Sequence, residues 1–449
     1  MNGNLLDGNI KRLFSKFLLA TLGSSMVTCI YAIVDCVCIG QYQGPDGTAA
    51  LAIVMPLWTI LYSIGLLTGI GGATLFGNAI GKGQIEEAKK SFTVSFFITL
   101  LIAFISWLLI VLFEDPLLRL FGADEQILPL AKRYLLPIKF VVPFYPFTQF
   151  LGAYLRTDND PVLTSAAVLA GGVFNIFGDI FFTFTLDLGI FGAGLATALG
   201  IVITMLVLLI HFFKKNNQLK LVKPTALWHH TKQIIYIGFG AFVLDISIGI
   251  ITILFNNQLK LYLAPEYLAI FGVIIQISTV VQSNAYAIGQ SGQAIISVNY
   301  GAKNEKRVRQ TLKYAVATSL ILGLFWCLLT LAIPNVFIRL FMKPNDFILN
   351  AAPQVMRIYA ISYLFLPFNI FTAYYLQSVM KANQAILLSL LRGIVFSFLF
   401  ICLLPFLDSS LLWSAMIFVE GLVFILSALC IWKKKPFHRD RSEVGKTGV

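Results

Sequence analysis

The string GIGGATLFGNAIG at residues 69–81 returns, in register, as GQSGQAIISVNYG at residues 289–301, with glycine at the first, fourth and last position of both. The same offset of 220 residues pairs Arg119-Leu120-Phe121 with Arg339-Leu340-Phe341. After a slip of four residues, Pro143-Phe144, Phe147 and Asn159 meet Pro367-Phe368, Phe371 and Asn383. The chain is a tandem duplication, and two similar halves imply a groove between them.

Composition names the medium of those halves: 58% apolar residues, 39 Phe and only 12% charged residues leave too little polar surface to face water all round. Crossing a ~30 Å hydrocarbon core takes about 20 helical residues. Twelve apolar runs meet that length: 14–39, 50–77, 91–113, 133–154, 162–185, 190–213, 233–258, 267–298, 313–334, 352–378, 385–407 and 411–432. A membrane barrel would alternate apolar and polar residues over segments of ~10, whereas Leu100 to Phe113 and Leu387 to Leu404 are apolar on every face. The predicted fold is an all-α integral membrane protein with twelve transmembrane helices in two six-helix bundles. Six crossings per half relate the bundles by a pseudo-twofold axis along the membrane normal and exclude an inverted repeat. The bundles are 1–213 and 233–449, the second ending in a basic tail. The basic linker 214–232 reads as a flexible strap between bodies that rock and open a central cleft to each side in turn.

Lys and Arg in short loops favour the cytoplasmic side. With the N-terminus inside, most of the 33 basic residues fall there, in the groups Lys214, Lys215, Lys220, Lys223 and Lys232, then Lys303, Lys306, Arg307, Arg309 and Lys313, then Lys433, Lys434 and Lys435. A multi-pass protein of the cell membrane with both termini cytoplasmic is expected. The net charge of +12 sits beside apolar spans, so anionic lipid headgroups, and not nucleic acid, are its expected partner. The first span lacks a cleavage site and reads as a retained anchor. Cys29, Cys36, Cys38, Cys327, Cys402 and Cys430 fall in apolar runs without paired metal-ligand spacing and read as packing residues.

Four carboxylates stand inside spans, where each costs about 2.5–3.5 kcal/mol on insertion scales: Asp35, Asp179, Asp245 and Glu420. Asp35 and Asp179 lie at similar depth in parallel spans, and Asn175 shares a helix face with Asp179 four residues later. Such a trio can hold a proton or a small cation. The alternative for Asp35 is that it reaches the outer headgroups. Asp245 suits cation binding or a packing hydrogen bond equally, and Glu420 is a candidate for a second ion or substrate site in the later half. Arg392 in the eleventh span is placed to neutralise one of these acids, and Lys139 to snorkel outward.

The repeated glycines, with Gly65, Gly71 and Gly77, permit close helix contact. They do not form a phosphate loop, since no strand precedes them and no Lys-Ser/Thr follows. Pro56, Pro143, Pro146 and Pro367 mark kinks. Tyr31, Met55, Tyr62, Tyr145, Tyr154, Gln276, Tyr286 and Tyr374 are candidates for a cleft that receives flat lipophilic cations, because aromatic faces attract them; each serves equally well as packing. No Ser/His/Asp or metal-ligand constellation is present, so no enzyme activity and no cofactor are expected.

Several local strings together carry a resemblance: Val34-Asp35 with Ile39-Gly40, Asn175-Ile-Phe-Gly-Asp179, Gly192-Ala-Gly-Leu-Ala-Thr197, and Gly289-Gln290 through Asn299-Tyr300-Gly301-Ala302. Over nearly its whole length the chain resembles the multidrug and toxic compound extrusion (MATE) family of secondary transporters. The resemblance implies a two-lobed twelve-helix exporter that expels organic cations or other lipophilic compounds in exchange for H+ or Na+. It maps the family's ion-coupling residues, an acid in span 1 and an Asn and an Asp in span 5, onto Asp35, Asn175 and Asp179. Some members bind sodium through carboxylates in spans 7 and 10; here span 10 has no acid, so protons or sodium at Asp35 and Asp179 fit better than a sodium site in the later half. One chain holds a whole transport path, and a monomer is expected to function. The nearest rival is a flippase for lipid-linked saccharide precursors, whose phosphates call for a ring of bases in the cleft, whereas this chain offers few intramembrane bases. A further rival is a membrane receptor or assembly subunit that binds a ligand and moves nothing.

Overall fold

The computed structural model describes residues 5–433 apart from residues 225 and 343. Lys434 and Lys435 of the basic tail lie outside the described residues. Every regular element among those described is helical. In chain order they are α1 (Ile10–Gly81), α2 (Ile85–Leu112), α3 (Glu114–Leu120), α4 (Leu128–Ile138), α5 (Phe144–Thr157), α6 (Pro161–Ile180), α7 (Ile190–Leu209), α8 (Leu227–Tyr262), α9 (Glu266–Gly301), α10 (Glu305–Ala332), α11 (Pro334–Phe341), α12 (Asp346–Ala360), α13 (Leu366–Ser378), α14 (Ala382–Leu390), α15 (Phe396–Leu407) and α16 (Ala415–Lys433). Ten stretches among the described residues are long and apolar enough to cross a membrane. Their outward faces are apolar too: Leu112 on α2, Ile321 on α10 and Phe406 on α15 are all more than half exposed, and hydrocarbon is the surrounding that tolerates such surfaces.

Three predicted spans are organised differently. The spans 14–39 and 50–77 belong to the single element α1, whose 72 residues would measure about 108 Å if straight. It breaks at Gly44 (φ 68°, ψ −154°), followed by Pro45. Only glycine adopts that φ without strain, and the proline ring removes a helical hydrogen bond. The chain doubles back sharply there: a Cβ on Gly40 would lie 3.0 Å from Thr48 Cγ2, whereas eight residues of straight helix span about 12 Å. The span 133–154 is two helices, α4 and α5, separated by turns at 139–143. Pro143 has no N–H to continue the ladder. The short α3 and α11 were not predicted, and the duplicated Arg-Leu-Phe triplet falls at the C-terminal end of each.

The duplicated glycine stretches meet each other. A Cβ on Gly81 would collide with the Val298 carbonyl oxygen, and one on Gly301 with the Asn78 carbonyl oxygen. The offset of 220 that exchanges Gly81 with Gly301 also exchanges Asn78 with Val298. Each collision is therefore the repeat image of the other. Gly71 of α1 and Gly238 of α8 fit together in the same way, against Ile234 and Leu67. Helices approach this closely only where side chains are absent. The first turns of α1 pack on the second half, with Phe14 and Phe17 in one core with Ile288, Ile295 and Phe371, and Ser291 Oγ donates to Thr21 Oγ1 at 3.3 Å.

The connection 214–232, expected as a flexible strap, is tied down. His211 sits with its two ring nitrogens 2.8 Å from Asp158 Oδ2 and 2.8 Å from Asp160 Oδ2, which requires the doubly protonated ring. Lys214 Nζ donates to Asp160 at 2.6 Å, the Gln218 N–H to Asp158 at 3.0 Å, and the Val222 N–H to Thr93 Oγ1 at 3.0 Å. Its final residues already form the first turns of α8.

Candidate functional site

Close backbone packing assembles the site of the first half. A Cβ on Gly172 of α6 would lie 2.7 Å from Val27 Cγ1 of α1, one on Gly178 would lie 3.0 Å from Ala196 Cβ of α7, and one on Gly194 of α7 would collide with the Tyr134 carbonyl of α4. With four helices drawn this close, Asp35, Tyr134, Asn175, Asp179 and Thr197 converge. The Tyr134 hydroxyl donates to Asp35 Oδ2 at 3.0 Å. Asn175 Nδ2 lies 3.4 Å from Asp179 Oδ1 and 3.3 Å from Thr197 Oγ1. The structure thus brings together the three residues singled out in the sequence, and Asp35 and Asp179 lie within electrostatic reach of each other. Tyr31 is half-buried nearby.

Both carboxylates are buried, and neither belongs to an ion pair among the described residues. Asp35 Oδ1, Asn175 Oδ1, Asp179 Oδ2 and Thr183 Oγ1 have no hydrogen-bond partner among the described residues. Buried polar atoms left this way cost free energy, and a donor set made only of oxygens suits a proton or a hard cation. Thr183 comes from a single π-helical turn, Phe181–Thr185, that starts two residues after Asp179. Such turns are frequent at functional positions.

The second half treats its acids differently. Glu420 of α16 is fully buried, but Arg392 Nε donates to its Oε1 at 2.8 Å and Asn369 Nδ2 to its Oε2 at 2.7 Å. Asp245 of α8 faces the first half: Ser63 Oγ of α1 donates to Oδ2 at 2.6 Å, and the Tyr286 hydroxyl of α9 donates to Oδ1 at 3.4 Å. Gln282 Nε2 donates to that hydroxyl at 2.6 Å. Aromatic rings gather around this contact, with Tyr62 and Tyr145 centroids 6.4 Å apart and Tyr286 and Tyr374 centroids 6.2 Å apart. Tyr154 lies elsewhere, in the core with Phe76, Phe92 and Phe150, its hydroxyl bonded to Ser95 Oγ at 2.9 Å. Met55 and Gln276 are exposed. Lys139 is paired with Glu114 at 2.6 Å.

Sequence reading missed Tyr134, Thr183, Thr197 and Ser63. Thr197 closes one of the quoted strings, but nothing in the pattern around Tyr134 or Ser63 distinguishes them from packing residues.

The MatE family profile matches residues 20–181 and 239–403. The multidrug export protein MepA of Staphylococcus saprophyticus is 23% identical over 428 residues, covering 94% of this chain and 92% of that protein. Among solved structures, a MATE transporter in complex with MaL6 superposes with a TM-score of 0.88 at 19% identity, covering 95% of this chain and 96% of that one. An outward-facing multidrug resistance MATE family transporter gives 0.86 at 18% identity, covering 96% and 97%. A profile matched in both halves of one helical chain settles the family where low pairwise identity shows the fold alone. The chain belongs to the MatE family of membrane transporters.

Proposed function

We propose that this protein is a secondary active exporter of lipophilic or cationic organic compounds, driven by H+ or Na+ through alternating access in a bacterial cell membrane. Divided at Gly44, and with α4 and α5 joined into one crossing, its helices make twelve crossings in two six-helix halves related by the internal repeat. The mutual fit of Gly81 with Val298 and of Gly301 with Asn78 supports that relation. The basic connections favour both termini in the cytoplasm, and a monomer contains the full path.

One observation carries the coupling mechanism: among the described residues Asp35 and Asp179 are buried without a counter-charge and with one oxygen each left without a hydrogen-bond partner, whereas Glu420, also buried, is neutralised by Arg392. The first pair has the chemistry to take up and release an ion; the second is a fixed strut. In this reading the ion enters at Asp35 and Asp179 while the cleft faces outward, and Tyr134, Asn175 and Thr197 shape the site around it. Cargo binds between the halves, its cationic group on Asp245 and its flat parts on Tyr62, Tyr145, Tyr286 and Tyr374. A ligand moves the equilibrium between the two states by its difference in affinity for them. Ion and cargo that favour opposite states therefore exchange across the membrane.

The test is efflux of a fluorescent lipophilic cation from proteoliposomes under separate proton and sodium gradients. One gradient should drive efflux, and Asp35→Asn and Asp179→Asn should each abolish it while leaving folded protein in the membrane. Full transport by both variants sinks the assignment.

A further inference from the structure

Arg156 is a buried charge that the coupling site and the clasp around the linker both leave out. It lies at the end of α5, is 7% exposed, and its Nε has no hydrogen-bond partner among the described residues. The acids beside it in sequence are engaged elsewhere, Asp158 by His211 and the Gln218 N–H, Asp160 by His211 and Lys214. The guanidinium instead folds back along its own helix over Gly152, where a Cβ would lie 3.5 Å from Nη1 and 3.7 Å from Nη2. The missing side chain at Gly152 leaves that path open. Tyr62 of α1 and Tyr374 of α13 lie within electrostatic reach of the guanidinium. The same two tyrosines are within electrostatic reach of Asp245.

A carboxylate from the second half and, from the first, a guanidinium with no ion-pair partner among the described residues thus share the same two tyrosine neighbours. We propose that Arg156 binds the acidic group of amphoteric cargo, so that the transporter recognises molecules carrying both a basic nitrogen, held at Asp245, and a carboxylate, held by the guanidinium. The planar fork of an arginine matches a carboxylate in two parallel hydrogen bonds and stays charged at every working pH. An acidic group arriving there supplies the partner that Nε lacks, whereas a cargo that is only cationic leaves the guanidinium unpaired and adds like charge beside it.

This assignment rests on the export reading, and a matched pair of compounds separates the two. A fluoroquinolone with a basic piperazine and a free carboxylate is compared with its methyl ester, which differs in losing the anion. In proteoliposomes the wild type should prefer the acid by roughly tenfold or more in KM, the scale of a charge-assisted hydrogen bond. Arg156→Gln should erase that preference while moving the ester as the wild type does, and Arg156→Lys should keep part of it. Equal handling of acid and ester by the wild type overturns the proposal, as does an Arg156→Gln variant that slows both alike. Binding of the same two compounds to the wild type in detergent, followed by tryptophan quenching, asks the question without any variant, and equal affinities again overturn it. If neither compound moves, the export reading falls while the binding preference still decides the role of Arg156.

Discussion

Asp35 and Asp179 on one side, and Glu420 on the other, are buried carboxylates in opposite surroundings. Glu420 is held by Arg392 and Asn369, and removing one member of a buried pair leaves the other uncompensated, at a cost of about 3–5 kcal/mol. Glu420→Gln should therefore lower the thermal unfolding temperature in detergent markedly, and the double change Glu420→Leu with Arg392→Leu should recover much of the loss. A single variant as stable as the wild type contradicts a structural role for the pair. Tyr134→Phe deletes one hydrogen bond to Asp35, worth about 1 kcal/mol or somewhat more with a charged partner. Gradient-driven efflux should slow by up to roughly tenfold, with the fold intact; an unchanged rate removes Tyr134 from the site. The acids were legible in the sequence because a carboxylate in an apolar run is conspicuous and must have a reason to be there. Tyr134 and Arg156 were not, since a tyrosine among apolar residues and an arginine at the end of a span look the same whether they pack, snorkel or bind.

At the scale of elements, close helix contact does the positioning. Gly81 and Gly301 touch the carbonyls of Val298 and Asn78 with no room for a side chain, so a bulky residue at either position holds α1 and α9 apart at that end. Gly301→Leu should increase labelling of a cysteine placed at the neighbouring buried Ser297, read with a membrane-impermeant thiol reagent from the basic face. No gain in labelling means that the contact is not part of a closed gate. The clasp around His211 fixes the connection between the halves, and His211→Ala leaves Asp158 and Asp160 without their shared cation. Limited proteolysis within residues 214–224 should then become faster, and an unchanged rate shows that the remaining backbone contacts hold the linker alone. Repeat spacing announced that these glycines serve contact, but not that the two copies contact each other. The break at Gly44 and the interruption at Pro143 were hidden for a different reason. Hydropathy measures the length of an apolar run, while a helix ends where one φ angle or one missing N–H ends it.

Across the whole molecule, the duplication read at the start explains why the two copies of the glycine stretch make matching contacts, and it is the basis of the proposed groove between two halves. It does not explain which side chains enter the groove, because sequence periodicity cannot tell a tyrosine facing a cleft from one in the core; Tyr62 and Tyr154 are the instance here. Nor did it show that the first turns of α1 pack on the other half, through Phe14 and Phe17, so that the halves are interlocked as well as adjacent. In the proposed cycle the ion and the cargo act as alternatives, each favouring one arrangement. The most direct measurement is ion release on cargo binding: a lipophilic cation is added to the purified protein in weakly buffered detergent solution, with pH and free sodium followed together. The account predicts that binding displaces protons or sodium, and that Asp35→Asn with Asp179→Asn abolishes the displacement while cargo still binds. Cargo binding that releases neither ion, or a release that survives in the double variant, contradicts coupling through these two carboxylates.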